Sequence, residues 1–306
     1  MLKHKKNKPQ YSENFVKPVF VIGKNRSGTK WLSNIIANHP DIACVQREGA
    51  GGIVETNIFS NFPALFGDLR YEENYFGMAV CFSQTNFFRL TGLNEGVLYE
   101  NRKENYLDLF RYVMNLYSKR GKKTYWLQKA AVDDFENIYN FFPDARFIVV
   151  ERDIVDNIRS TRGLAKLNDK PVPGIIREIA KWHLAQKTTR RYQAESNVMH
   201  VTFDQLKNDR QNLVKKVCDF LELTFHESML IDTFKKNTSF QKGIKKEDML
   251  SSFQIRIVRV LTPLFRVVPF FVLRGLGSLM SRKGTGQRLV AKSFSLLRED
   301  YGCEND

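Results

Sequence analysis

The chain has 306 residues, of which 42% are hydrophobic and 24 are Phe, enough to bury a full core and too apolar for a disordered protein. A formal net charge of +15 and a pI near 9.6 point to an anionic donor, an anionic acceptor or a negative membrane surface. Charge alone would also admit nucleic acid, but there is neither zinc-finger spacing nor an aromatic RNA-binding signature, so no nucleic-acid partner is expected.

Residues 1–14 read as a basic disordered tail, with no apolar stretch to make a secretory signal or an N-terminal anchor. The four cysteines, Cys44, Cys81, Cys218 and Cys303, are scattered and none forms CxxC. They predict neither a zinc site nor a disulfide framework but free thiols in a reducing compartment, hence a cytoplasmic location. An α/β domain is expected over 15–250 and a basic helical appendage over 251–306.

The first element is the most informative. Val19 to Ile22 is an apolar run that ends at Gly23; a polar turn, Lys24 to Thr29, follows; then Trp31, Leu32, Ile35 and Ile36 recur at helical spacing. Strand, loop and helix in that order make a cradle for an anion, because N–H groups at a helix start lack intrahelical partners and the helix dipole favours negative charge there. Lys24, Arg26 and Lys30 add positive charge. Gly23 and Gly28 have the G-x-x-x-x-G spacing of an ATP-binding loop, but Thr29-Lys30 stands where Lys then Ser or Thr belongs. The lysine that reaches the β- and γ-phosphates is therefore out of place.

A second strand is expected at 42–46, a Gly-rich loop at 47–57, and irregular structure with short helices over a cleft at 58–100. Asn105 to Lys119 has the pattern of an amphipathic helix. Lys123 to Gln128 reads as a strand ending at Lys129, 133–142 as a short helix, Arg146 to Glu151 as a strand, and Ile154 to Leu167 as a helix. Ile175 to Glu195 reads as a longer helix, Asn197 to Phe203 as a strand, and Arg210 to Leu221 as a helix. This alternation predicts a P-loop-like three-layer α/β fold, its mainly parallel sheet flanked by helices and followed by a C-terminal helical segment. Ligands should gather at the carboxyl ends of the strands, where Gly23–Thr29, Lys129 and Arg152 fall. Phe253 to Leu279 is apolar but interrupted by Arg256, Arg259, Arg266 and Arg274, and no run is long enough to span a bilayer. Two readings stay open for it, a cap packed on the domain and a basic segment lying on anionic lipid.

Arg26-Ser27-Gly28-Thr29-Lys30-Trp31 resembles the 5′-phosphosulfate loop of the sulfotransferase family, whose donor is 3′-phosphoadenosine-5′-phosphosulfate (PAPS). A second stretch, Ala145 to Gly163, has a strand, then Arg152, then Ser160 eight residues on, and is similar to that family's 3′-phosphate element. Val201 to Leu206 partly matches a further strand-then-[YF]-[ED]-x-L segment, and Phe240 to Gly243 weakly matches the Lys-Gly of a late loop. The resemblance spans about residues 18–245. It implies Ser27 to Trp31 on the 5′ side, Trp31 as the adenine-stacking aromatic, Arg152 and Ser160 on the 3′-phosphate, and Lys242 and Gly243 over it. Arg26 stands where cytosolic members carry lysine, as in the protein-tyrosine sulfotransferases, and would face the leaving oxygen. Lys129 would help it. Glu48, following His39-Pro40, is the preferred base and Glu55 the second choice. No metal is expected, since the donor has no γ-phosphate for Mg²⁺ to bridge. The acceptor expected is a hydroxyl (or amine) compound, a carbohydrate or another small molecule. A nucleotide kinase or NTPase, and a non-catalytic binder of membranes or nucleic acid, remain the alternatives; oligomeric state is not legible.

Overall fold

The computed structural model describes residues 16–47, 51–234, 239–240 and 243–279. The expectations placed on Glu48, Lys242, Cys303 and the tail 1–14 lie outside these residues.

Five parallel strands make the central sheet, in the order β2 (Ile42–Ala43), β5 (Tyr125–Ala131), β1 (Lys17–Gly23), β6 (Arg146–Glu151), β7 (Val198–Thr202). Alternate residues of each strand feed opposite faces, as the pleat requires. Phe20 and Ile22 of β1 join Trp126 and Phe147 in an aromatic-rich core on one side. Val19 and Val21 join Leu127 and Ile148 on the other. The first core is covered by α6 (Tyr106–Arg120), α7 (Phe135–Phe141) and four helices before them: α2 (Asn61–Phe66), α3 (Glu72–Gln84), α4 (Asn86–Thr91) and α5 (Gly96–Glu100). The second is covered by α1 (Thr29–Ala37) and α11 (Arg210–Leu221). Both faces are therefore sealed, which is why the strands read as nearly continuous apolar runs. The predicted layered α/β fold is observed.

Several boundaries differ. The expected strand at 42–46 is split: after β2 the chain turns into a small antiparallel pair, β3 (Gln46–Arg47) with β4 (Gly52–Ile53). The 58–100 stretch holds a 13-residue helix, α3, as well as short ones. Strand β5 runs on to Ala131, so Lys129 lies inside the strand, opposite Val21, rather than past its end. The helix begun at Ile175, α9 (Ile175–Arg190), stops before Glu195. α8 (Ile154–Leu167) is where the periodicity places it.

At the carboxyl edge three strands hand directly to site residues: β1 to the 24–28 loop, β6 to Arg152, and β7 to Phe203 at the start of α10 (Phe203–Asn208). Two helices follow α11 and complete the chain's described part, α12 (Ser252–Val267) and α13 (Phe270–Leu279). Val258 of α12 is buried in a third cluster with Ile154 and Ile158 of α8 and Ile179 of α9. One side of the segment is thus packed on the domain, as the first of its two readings has it. Among the described residues no helix is long and apolar enough to cross a membrane.

Candidate active site

Gly28 closes the first loop with φ +98, and a Cβ on it would stand 2.5 Å from the Phe203 ring. Only glycine fits both conditions. Arg26 also has positive φ, +71, in a residue that pays backbone strain of about 1–3 kcal/mol for it. The loop is bolted from behind. Lys24 turns away from the cavity, where its charge was expected, and its Nζ donates to Asn157 Oδ1 at 2.8 Å and Glu178 Oε2 at 2.9 Å. The reason is Glu178 itself: a carboxylate only 4% exposed needs a partner cation. Asn157 in turn donates to the Asn25 carbonyl at 3.1 Å and lies 3.4 Å from Ser27 Oγ.

A cavity of about 620 Å³ opens above this edge. Its charged lining is Arg26, Lys30, Lys129 and Arg152 against two carboxylates, Glu55 and Asp232. Arg26 and Arg152 are both pushed below the usual arginine value by burial, and in Arg26 the Arg152 charge adds to this. Burial likewise lowers Lys30, with Glu55 opposing and Lys129 and Arg47 adding to the effect. Cations held this close and half-desolvated favour an anion between them. Donors are on hand. α1 has no side-chain cap and no acidic residue in its first turn, which leaves its leading N–H groups available to an anion. The buried Nε of Arg152 has no hydrogen-bond partner among the described residues, while its Nη1 donates to the Arg26 carbonyl at 2.9 Å. These features fit a phosphate-bearing nucleotide.

Arg26 and Ser160, which the sequence reading sets on opposite sides of the nucleotide, are in direct contact. Arg26 Nε donates to Ser160 Oγ at 3.2 Å and Nη2 to Ser239 Oγ at 2.7 Å; the two hydroxyls are 3.0 Å apart. Lys129 stands elsewhere on the cavity wall, 6% exposed, with Nζ 2.6 Å from Glu55 Oε2. Glu55, the second-choice base, thus sits in the cavity beside a lysine. Ser27 is buried behind the loop; Thr29 and Trp31 line the cavity, as does Gly28. Gly243 has φ +79 and is not part of the lining.

Phe203 was legible only as part of a weak motif, yet it joins the site. Its ring meets Trp31 edge-on at 5.9 Å, and the Arg152 guanidinium lies 4.1 Å from its centroid. Phe240, the first residue of the weak late-loop match, lines the cavity too, whereas Ser239, Asn157 and Glu178 carried no signal in the sequence. His39 and His183 are held in packing and backbone contacts outside the cavity. His39 Nε2 bonds the Thr224 carbonyl at 2.8 Å while Nδ1 accepts from Asp41 N. His183 stacks on Phe265 of α12, and burial lowers its pKa to about 4. Among the described residues no cluster of His, Cys, Asp or Glu could hold a metal ion.

A parallel α/β sheet carries a glycine-bounded loop after its central strand and an Arg/Ser pair from the next strand and helix, an arrangement that sets residues of several strands around one cavity at the sheet's carboxyl edge. The model of the sulfotransferase family matches residues 18–227, and the chain belongs to that family, whose members transfer a sulfuryl group. The structure is similar to the sulfotransferase domain from the curacin biosynthetic pathway, with a TM-score of 0.50 at 13% identity, covering 87% of this chain and 98% of that one. It is also similar to the sulfotransferase domain of the Synechococcus PCC 7002 olefin synthase, with a TM-score of 0.48 at 13% identity over 91% and 99% of the two chains. For the mouse sulfotransferase SULT7A1, solved in complex with PAP, the values are 0.47, 12%, 87% and 89%. At such identities the likeness is one of fold. No curated protein matches the sequence.

Proposed function

We propose that this chain moves a sulfuryl group from PAPS to the hydroxyl (or amine) of an acceptor, a carbohydrate or another small hydroxyl compound, in the cytoplasm. The observation that carries the donor reading is the convergence of the 26–31 loop, Arg152 and Ser160 on one cation-rich cavity.

Bound PAPS supplies a sulfuryl group on a phosphate that departs with the electron pair of the broken S–O bond. Thr29, Lys30 and the α1 N–H groups hold the 5′ side, with Trp31 and Phe203 offering flat apolar surface for adenine. Arg152 and Ser160 hold the 3′-phosphate. A phosphate at Ser160 accepts a hydrogen bond from the hydroxyl while the hydroxyl oxygen goes on accepting from Arg26 Nε, so the guanidinium stays fixed beside the donor, where a cation stabilises the charge that builds on the leaving oxygen. Of the two candidate bases, Glu48 lies outside the described residues and Glu55 lines the cavity; Glu55 takes the acceptor proton as the new O–S bond forms, beside Lys129 at 2.6 Å. The arginine in the loop supports kinship with the protein-tyrosine and carbohydrate branches.

Two assays test this. PAP should raise the melting temperature while ATP–Mg²⁺ does not; the reverse would favour a kinase. With labelled PAPS and a panel of glycans, phenols and peptides, Arg26→Ala should lower kcat about 10²- to 10³-fold while PAP affinity falls far less. An unchanged kcat would remove Arg26 from the chemistry.

A further inference from the structure

Helix α12 has two apolar faces, and the domain uses one. Val258 is buried, and Ile255, Leu261 and Phe265 pack beside it against α8 and α9. On the other side, Phe253, Val260, Leu264 and Val267 are 71%, 63%, 57% and 83% exposed. Their spacing, i, i+7, i+11 and i+14, puts them in a single stripe running along about 20 Å of helix. Phe271, just past Pro269, is exposed as well. Arg256 borders the stripe on the helical wheel, and Arg259 and Arg266 follow on the same side; all three are exposed. Among the described residues nothing covers this stripe, and an apolar run of such length marks a contact surface.

Charge decides what covers it. Between Ser251 and Arg298 the sequence has nine arginines and lysines and no aspartate or glutamate. A second copy of the chain would bring the same positive sign to the contact, and so would the chain's own residues 280–298. An anionic bilayer instead offers negative headgroups to the arginines and an apolar interior to Phe253, Val260, Leu264 and Val267. We infer that α12 docks the protein on anionic phospholipid surfaces, its stripe entering the headgroup boundary and its arginines pairing with lipid phosphates. Since no described helix can cross a membrane, the helix lies on the surface.

The full-length protein should co-float with phosphatidylcholine vesicles containing phosphatidylglycerol and bind pure phosphatidylcholine far more weakly, and added salt should release it. Val260→Asp with Leu264→Asp should reduce the partition coefficient at least about tenfold without shifting the melting temperature, because both side chains are on the solvent side. Arg256→Gln with Arg259→Gln should weaken binding to the anionic vesicles selectively. No binding by the wild type overturns the inference. So does binding that survives Val260→Asp/Leu264→Asp undiminished, which would assign adhesion to the basic termini. A concentration-dependent dimer in sedimentation that Leu264→Asp dissolves would give the stripe to a second copy and overturn it too. None of these readouts depends on the nucleotide or the acceptor.

Discussion

Lys24 and Glu178 are 154 residues apart in sequence and 2.9 Å apart in space, with side-chain exposures of 11% and 5%. Together with the Lys24–Asn157 bond, their contact ties the 24–28 loop to α8 and α9, and neither Lys24 nor Glu178 lines the cavity. Replacing one partner strands a buried charge, so Lys24→Met should lower unfolding free energy by about 3–5 kcal/mol. Lys24→Met combined with Glu178→Met should recover much of that loss; a denaturant titration of the two variants checks it. Equal destabilisation of the single and the double variant would mean that Lys24 supports the loop in some other way. This pair also shows where reading a sequence stops. Gly28, Arg26 and Arg152 are legible because a tight turn and an anion impose residue type at fixed spacing. Which lysine faces the anion is not, since it hinges on a carboxylate delivered by a distant helix. For the same reason Lys24 was expected in the cavity and Phe203 was undervalued.

Among the elements, α8 carries the site through its spacing. Asn157 and Ser160 are three residues apart and therefore share a face, one gripping the loop backbone and the other reaching Arg26. Gly163 continues that face one turn on. A Cβ there would stand 2.9 Å from the Phe240 ring and 3.1 Å from the Ser239 carbonyl. Gly163→Ala should therefore push the 239–240 segment off the helix and weaken PAP binding. Helix propensity by itself would raise stability by about 1 kcal/mol. Affinity falling while the melting temperature holds or rises is the expected result; unaltered affinity would take Ser239 out of the nucleotide site. Helices with one strong stripe, such as α6, α8 and α11, were plain in the sequence. The helices over 58–100 were not, because they are wrapped by aromatic partners on several sides and lose the clean 3.6-residue period. The split of β2 from β3 was equally hidden, since two-residue strands carry no periodicity.

For the molecule as a whole, the layered fold followed from strands and helices in alternation, and the family from two short motifs in the right order. The acceptor did not, because the walls near Glu55 and Lys129 combine residues from loops with no shared pattern. Positive charge is spread over both proposed tasks, gathering a doubly phosphorylated nucleotide at the strand edge and meeting lipid along α12. The two are separable, since the stripe lies on the outer side of a helix whose inner side packs on α8 and α9. Everything at the strand edge depends on the cavity being a site for PAP. Calorimetric titration with PAP tests it most directly, on the wild type and on Ser160→Ala and Arg152→Ala, with ATP–Mg²⁺ as the comparison. The account predicts one nucleotide per chain for the wild type, at least about tenfold weaker binding in each variant, and no heat from ATP–Mg²⁺. Equal PAP affinity in all three proteins, or tighter binding of ATP–Mg²⁺ than of PAP, would contradict it.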